Sequence, residues 1–135
     1  MSSTTSISLP PFRNEPFTDF SNAANQRAMR EALDRIRVEM GRTYDLIIGG
    51  RDVQTPSTFH SINPANPSEI VGIHYAAGAR EAGQAVEAAE LAFTTWGKTS
   101  AADRAALLLR AASLLRRRRL EFCAWLVFEV GKNWG

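Results

Sequence analysis

Five features of this chain have residue types that could do chemistry. Cys123 is its one cysteine. It lies in Phe122-Cys123-Ala124-Trp125, inside an apolar stretch of helical period with no histidine or other base near it in sequence. A thiol attacks as its thiolate, which needs electropositive, partly open surroundings, whereas a free cysteine among apolar neighbours packs as a small apolar group. Cys123 therefore reads as a packing residue, mostly buried and out of reach of any histidine. His60 and His74 both fall in strand-like segments. With no Cys, Asp or Glu at ligand spacing they make no metal motif, and they read as hydrogen-bonded or exposed strand residues. Arg116-Arg117-Arg118-Arg119 is the only charge run. Four successive helical residues point in four directions, so the run is not expected to form a single-faced phosphate cluster. It reads as a solvated helix, or as a surface that pairs with other polypeptide. Gly49-Gly50 reads as a turn, because no G-x-G-x-x-G opens a helix anywhere in the sequence. Glu129 and Lys132 stand at i,i+3 and suit a weak pair at a helix end. No residue is assigned a catalytic, cofactor-binding or metal-binding role.

The elements that would carry these residues follow from period and punctuation. Residues 1–9, Ser/Thr-rich and without a basic cluster or long apolar run, read as a disordered tail and not as a secretory signal. Pro10, Pro11 and Pro16 bracket an extended arm, and Phe12, Phe17 and Phe20 are too apolar for a free tail, so the arm is expected to anchor on a surface. A helix is predicted over about 21–40, capped by Ser21, with Met29, Ala32, Leu33, Ile36 and Met40 on one face, Glu31 and Arg35 as an i,i+4 pair, and Gly41 as its stop. Three strands are predicted: Asp45–Ile48, Thr58–Ile62 and Ile70–Tyr75. The turn signals between them predict antiparallel pairing, since connections this short hold no crossover helix. Two long helices close the chain. The first runs over about 79–96, with Ala85, Ala89 and Phe93 on its stripe. The second runs over about 101–130, opened by a Ser100/Asp103 capping box, with Leu108 and Leu115 on its stripe. The two stripes are expected to pack on each other as an antiparallel pair.

Composition narrows the function classes. At 135 residues, 44% hydrophobic and 22% charged, this is one globular domain's worth of chain, not a disordered one. The net charge is only +2, which calls for no polyanionic polymer, and no apolar run approaches a membrane span. One cysteine excludes an internal disulfide and favours a reducing, cytoplasmic setting. The predicted elements leave wide apolar stripes with no covering layer, so the expectation is a truncated piece of a larger fold. A small helical adaptor and a basic nucleic-acid-binding domain are the competing readings.

The order of motifs resembles the aldehyde dehydrogenase superfamily from about residue 10 to 135. Leu46-Ile47-Ile48-Gly49-Gly50 resembles its entry strand, and Ser61-Ile62-Asn63-Pro64-Ala65-Asn66-Pro67 its "NPA" turn. Ala85 to Trp96 resembles the helix ending "AF..W", and Asp103-Arg104 to Leu115 resembles "eRaxlLxxaAxlL". The arm Phe12-Arg13-Asn14-Glu15-Pro16-Phe17 and the segment Glu129-Val130-Gly131-Lys132-Asn133-Trp134 resemble the 1-pyrroline-5-carboxylate dehydrogenase branch. The resemblance implies an α/β, Rossmann-type parent enzyme, with residues 10–135 forming the N-terminal part of its NAD-binding domain. It implies oxidation of glutamate semialdehyde to glutamate with NAD, by a homo-oligomer with no nucleic-acid or membrane partner. A thiolate would attack the aldehyde, hydride would pass to the nicotinamide, and a glutamate would activate water. It also implies that the nucleophile, the base and the dinucleotide-binding turn lie beyond the "EVGKNW" segment, so that this chain alone is inactive.

Overall fold

The computed structural model describes residues 11–134. The tail expected over residues 1–9, and Pro10 after it, lie outside the described residues. Residues 11–19 run without regular structure and lead into helix α1, Ala23–Glu39. The helix is capped by Asn22, whose Oδ1 accepts from the Ala24 N–H at 2.8 Å. The expected cap, Ser21, is displaced because its own N–H is taken by the Asp19 carboxylate at 2.9 Å, which closes a local turn first. That hydrogen-bonded turn also holds the Asp19 carboxyl below its ordinary value. At the other end Gly41 adopts φ 77°, a left-handed conformation that costs a glycine nothing. Its N–H reaches the Val71 carbonyl at 3.1 Å, which ties the helix end to the sheet.

Five strands follow: β1 Arg42–Tyr44, β2 Leu46–Ile48, β3 Arg51–Val53, β4 Thr58–Asn63 and β5 Asn66–Tyr75. Strands β2 and β3 form a two-residue hairpin through Gly49 and Gly50, with Ile48 opposite Arg51. Both glycines have positive φ, 58° and 76°, as a type I′ turn demands. Strands β4 and β5 pair antiparallel, and their turn is built by Asn63. Its Oδ1 accepts from the Ala65 N–H at 2.9 Å, and its Nδ2 donates to Glu69 at 2.7 Å. The β4–β5 pair agrees with the antiparallel expectation, whereas β2 pairs with β3, a strand the turn signals do not predict, in a separate sheet. The pairing of β1 with β5 departs from that expectation: Arg42–Tyr44 runs parallel to Gly72–His74, giving the order β1-β5-β4. No crossover helix is needed, because residues 45–65, with β2, β3 and β4, make the return.

Helix α2 spans Ala79–Trp96 as predicted. The expected final helix is two: α3, Ala101–Arg117, and α4, Arg119–Val130, separated at Arg118 (φ −101°, ψ 17°). Ser100 caps α3, its Oγ accepting the Asp103 N–H at 3.1 Å, but the expected box is not completed: the Asp103 carboxylate accepts from the Ser100 hydroxyl at 2.7 Å instead of from its backbone N–H. Gly131, left-handed at φ 64°, ends α4. The core joins α1, β5 and α4: Met29, Ala32, Ile36, Val71, Ala124 and Phe128 are buried together. The α2 and α3 stripes do not bury one another. Phe93 is 67% and Leu108 72% exposed, and α3 has no buried residue. Periodicity located these apolar faces, but not what lies against them.

The arm is held at Phe20, which meets Trp134 edge to face at 5.1 Å, and by an ion pair from Glu15 to Arg116. Phe12 and Phe17, expected as anchors, stay exposed. Two expected ion pairs, Glu31–Arg35 and Glu129–Lys132, are absent among the described residues. Exposed pairs of this kind are worth too little to fix long side chains.

Ile36 is 1% exposed at the centre of the core. Truncating a buried isoleucine leaves a cavity and costs ~2–5 kcal/mol. Ile36→Ala is expected to lower the unfolding midpoint accordingly, while Val38→Ala, at an exposed position of the same helix, changes little. Denaturant unfolding of both variants checks this. The start of α2 generates a pH prediction. The Glu81 carboxylate accepts the Gly78 N–H at 2.9 Å and pairs with Arg80 at 2.8 Å. The Gly78 hydrogen bond first, then the one from Arg80, holds its carboxyl below the ordinary value. A carboxyl lowered in the folded state contributes stability above its unfolded value and loses it as pH falls through the folded one. The stability gap between wild type and Glu81→Gln is therefore expected to be constant near neutrality and to close in acid. A gap independent of pH would show that the carboxylate is not what caps α2.

Candidate functional site

A cleft of about 350 Å³ opens where the α1–α4 pair faces the three-stranded sheet. Strand β5 contributes Gly72 and His74, and β1 contributes Arg42 and Tyr44. Glu39 comes from the end of α1, and Arg118, Glu121, Trp125 and Glu129 come from the α3–α4 junction and α4. Cross-strand register sets one wall. Tyr44 and Phe59 are both partners of His74, and the His74 ring lies between theirs, 5.2 Å and 5.4 Å away with interplanar angles of 17° and 26°. The charged groups are matched locally. Arg42 pairs with Glu39 at 3.3 Å, and Arg118 forks onto Glu121 through two hydrogen bonds. Glu129 accepts from Ser61 Oγ at 3.3 Å. The Glu121 carboxyl is held below its ordinary value by the Arg118 hydrogen bonds first, with Arg35 adding to the effect.

This arrangement holds charges in place but has no nucleophile beside a base. His74 is committed to the ring stack, and His60 lies on β4 opposite Ile73. Cys123 is partly buried against the core and lines a different groove with Phe17, Phe20, Leu126 and Trp134. No described residue gives it a hydrogen bond to histidine. Among the described residues no group of three or more His, Cys, Asp and Glu side chains is placed to hold a metal ion. Nor do the residues present fit a dinucleotide. Gly49 and Gly50 turn one antiparallel strand into the next, whereas a pyrophosphate is held where a strand turns into a helix N-terminus.

Two sequence motifs far apart in the chain meet beside this cleft. A Cβ placed on Gly131 would come 3.1 Å from the Pro64 ring, so the end of α4 rests against the Asn63-Pro64 turn. Sequence reading singled out both segments but gave no sign that they touch. It assigned no role to Tyr44, Glu39 or Trp125, because a cleft assembled from three elements has no local pattern.

A model of the aldehyde dehydrogenase family matches residues 51–135. The chain is 48% identical over 126 residues to the 1-pyrroline-5-carboxylate dehydrogenase of Geobacillus thermodenitrificans, across 93% of this chain and 24% of that protein. It is 46% identical to the enzyme of the same name from Bacillus pumilus, across 92% of this chain and 24% of that protein. Among solved structures, 1-pyrroline-5-carboxylate dehydrogenase from Thermus with bound NAD superposes with a TM-score of 0.91 at 52% identity, over 95% of this chain and 25% of that one. Proline utilization A from Bdellovibrio bacteriovorus superposes with a TM-score of 0.89 at 33% identity, over 95% of this chain and 14% of that one. The chain thus spans about a quarter of the length of the curated relatives it matches.

Gly72 is the residue that lets the ring wall close. A Cβ there would lie 2.9 Å from His74 Nε2 and 3.2 Å from the Tyr44 ring. Gly72→Ala should push both rings away. The stacking lost is worth ~0.5–1.5 kcal/mol, and the stiffer unfolded chain returns ~0.4–1 kcal/mol. Stability is therefore expected to change little, while the His74 ring protons lose their ring-current shift in an NMR spectrum. Unchanged His74 shifts would mean that the stack does not depend on the glycine.

Proposed function

The chain belongs to the aldehyde dehydrogenase family, and from that premise we propose that it is the N-terminal quarter of an NAD-dependent 1-pyrroline-5-carboxylate dehydrogenase. Such an enzyme oxidises glutamate semialdehyde to glutamate in proline degradation. The observation that supports this reading is 48% identity spread over 93% of the chain, which takes in the opening arm as well as the family-wide motifs. The exposed stripes of α2 and α3 agree with it, since they are faces that a larger α/β body would cover. The whole enzyme would be a cytoplasmic homo-oligomer acting on a small aldehyde.

On this reading the chain is scaffold. Residues 10–135 begin the NAD-binding domain, and the nucleophile, the general base and the NAD-holding turn are supplied by other polypeptide. The α1–β5–α4 core fixes the position of the Gly131 helix end, from which the chain continues through Lys132, Asn133 and Trp134. The arm clasps that exit through the Phe20–Trp134 contact. Cys123 packs against the core and takes no part in the chemistry.

The test is an assay of NADH formation from 1-pyrroline-5-carboxylate with the full gene product that carries this sequence. Turnover is expected, and Cys123→Ala is expected to keep it near the wild-type level. Residues 1–135 expressed alone are expected to give none. A full product that ignores this substrate but oxidises another aldehyde would replace the substrate assignment. Loss of turnover in a folded Cys123→Ala enzyme would return the thiol to the reaction.

A further inference from the structure

The break between α3 and α4 does something that an unbroken helix cannot. In a continuous helix, residues 116 to 119 would fan out around the axis. With the turn opened at Arg118, all four arginines border one cavity of about 400 Å³, and Arg35 of α1 joins them from the neighbouring helix. All four stay exposed, as a solvated run would, but they border a shared cavity, which the expectation of dispersal did not foresee. We propose that this cavity is a binding site for a compact polyanion carrying adjacent phosphate groups, as in a pyrophosphate moiety.

Charge supports the assignment. Five arginines surround the cavity. The acids paired with them are Glu121, which takes Arg118, and Glu15, which takes Arg116. An excess of three positive charges therefore sits in one place, although the whole chain carries a net charge of only +2. Arg117 donates to the neutral Ser113 hydroxyl at 3.0 Å. Arg35 feels Glu121 across the cavity but hydrogen-bonds to no carboxylate, and Arg119 has no hydrogen bond or ion pair among the described residues. The unmatched set is Arg35, Arg117 and Arg119, which suits a ligand of two to three negative charges better than a single carboxylate. Planar guanidinium forks match phosphate oxygens two at a time. The volume lies within the ~300–1,000 Å³ of small-molecule sites, which favours a compact ligand over a polymer. The site is read from this chain alone and does not depend on the proposed enzymatic activity.

The experiment is calorimetric titration of the full gene product with inorganic pyrophosphate at fixed ionic strength. Orthophosphate, a single-stranded oligonucleotide and anionic phospholipid vesicles form the comparison arms. Saturable one-site binding of pyrophosphate is expected, weaker for orthophosphate. Loss of one charge-assisted contact is worth about tenfold in affinity, so Arg35→Gln and Arg119→Gln should each weaken binding about tenfold. Both side chains are exposed, and the variants should fold normally. Arg51→Gln, on β3 and outside the cavity, should leave binding unchanged. No saturable binding of pyrophosphate overturns the proposal, as does an equal loss in Arg51→Gln, which would reveal a diffuse charge effect. Binding of oligonucleotide or vesicles without binding of pyrophosphate would also overturn it and assign the arginines to a polymer or a membrane surface.

Discussion

The structure depends on one contact, that of α1 with α4 over Val71. Met29, Ala32 and Ile36 from one helix, and Ala124 and Phe128 from the other, account with Val71 for the buried apolar residues of the described chain. The remaining elements hang from this contact. The Gly41 N–H carries α1 into the sheet at Val71, β5 brings β4 and its Asn63 turn with it, and Gly131 sets the end of α4 against that turn. The cation–π contact of Arg37 over Phe128 closes the rim of the same seam at 5.2 Å. Helices α2 and α3 take no part in it, and their faces stay open.

That division explains what could be read from the sequence. Period and capping are local, so α2 was located residue for residue. The Ser100 cap, the Gly41 and Gly131 stops and the Gly49-Gly50 hairpin turn were likewise found where the side chains demand them. Partnership is not local. Strand β1 is three exposed residues, Arg42, Thr43 and Tyr44, with no alternation to detect. It exists because Gly41 delivers the chain alongside β5, in a parallel register that no turn residue announces. The α2 and α3 stripes were read correctly as apolar and wrongly as each other's partners, because a stripe specifies that it must be covered and not by what.

The candidate site divides in the same way. The ring stack of Tyr44, His74 and Phe59 is a matter of register, and register follows only once β1 and β5 are known to pair in parallel. The arginine run is plain in the sequence, but its geometry is not, since helical period continues through it and does not mark the break at Arg118. Arg118 forking onto Glu121, with its guanidinium 5.5 Å over the Phe122 ring, holds the α3–α4 junction in its opened form.

The α1–α4 seam also bears on how the chain is made. Residues 29–36 have no apolar partner until residues 124–128 exist. At ~5–20 residues per second, a ribosome needs roughly 5–20 s to supply them. Throughout that interval the apolar face of α1 is uncovered, and the hairpin and the α2 and α3 stripes join it as each is made. A nascent chain in that state is a natural client for a holding chaperone until α4 emerges to cover α1.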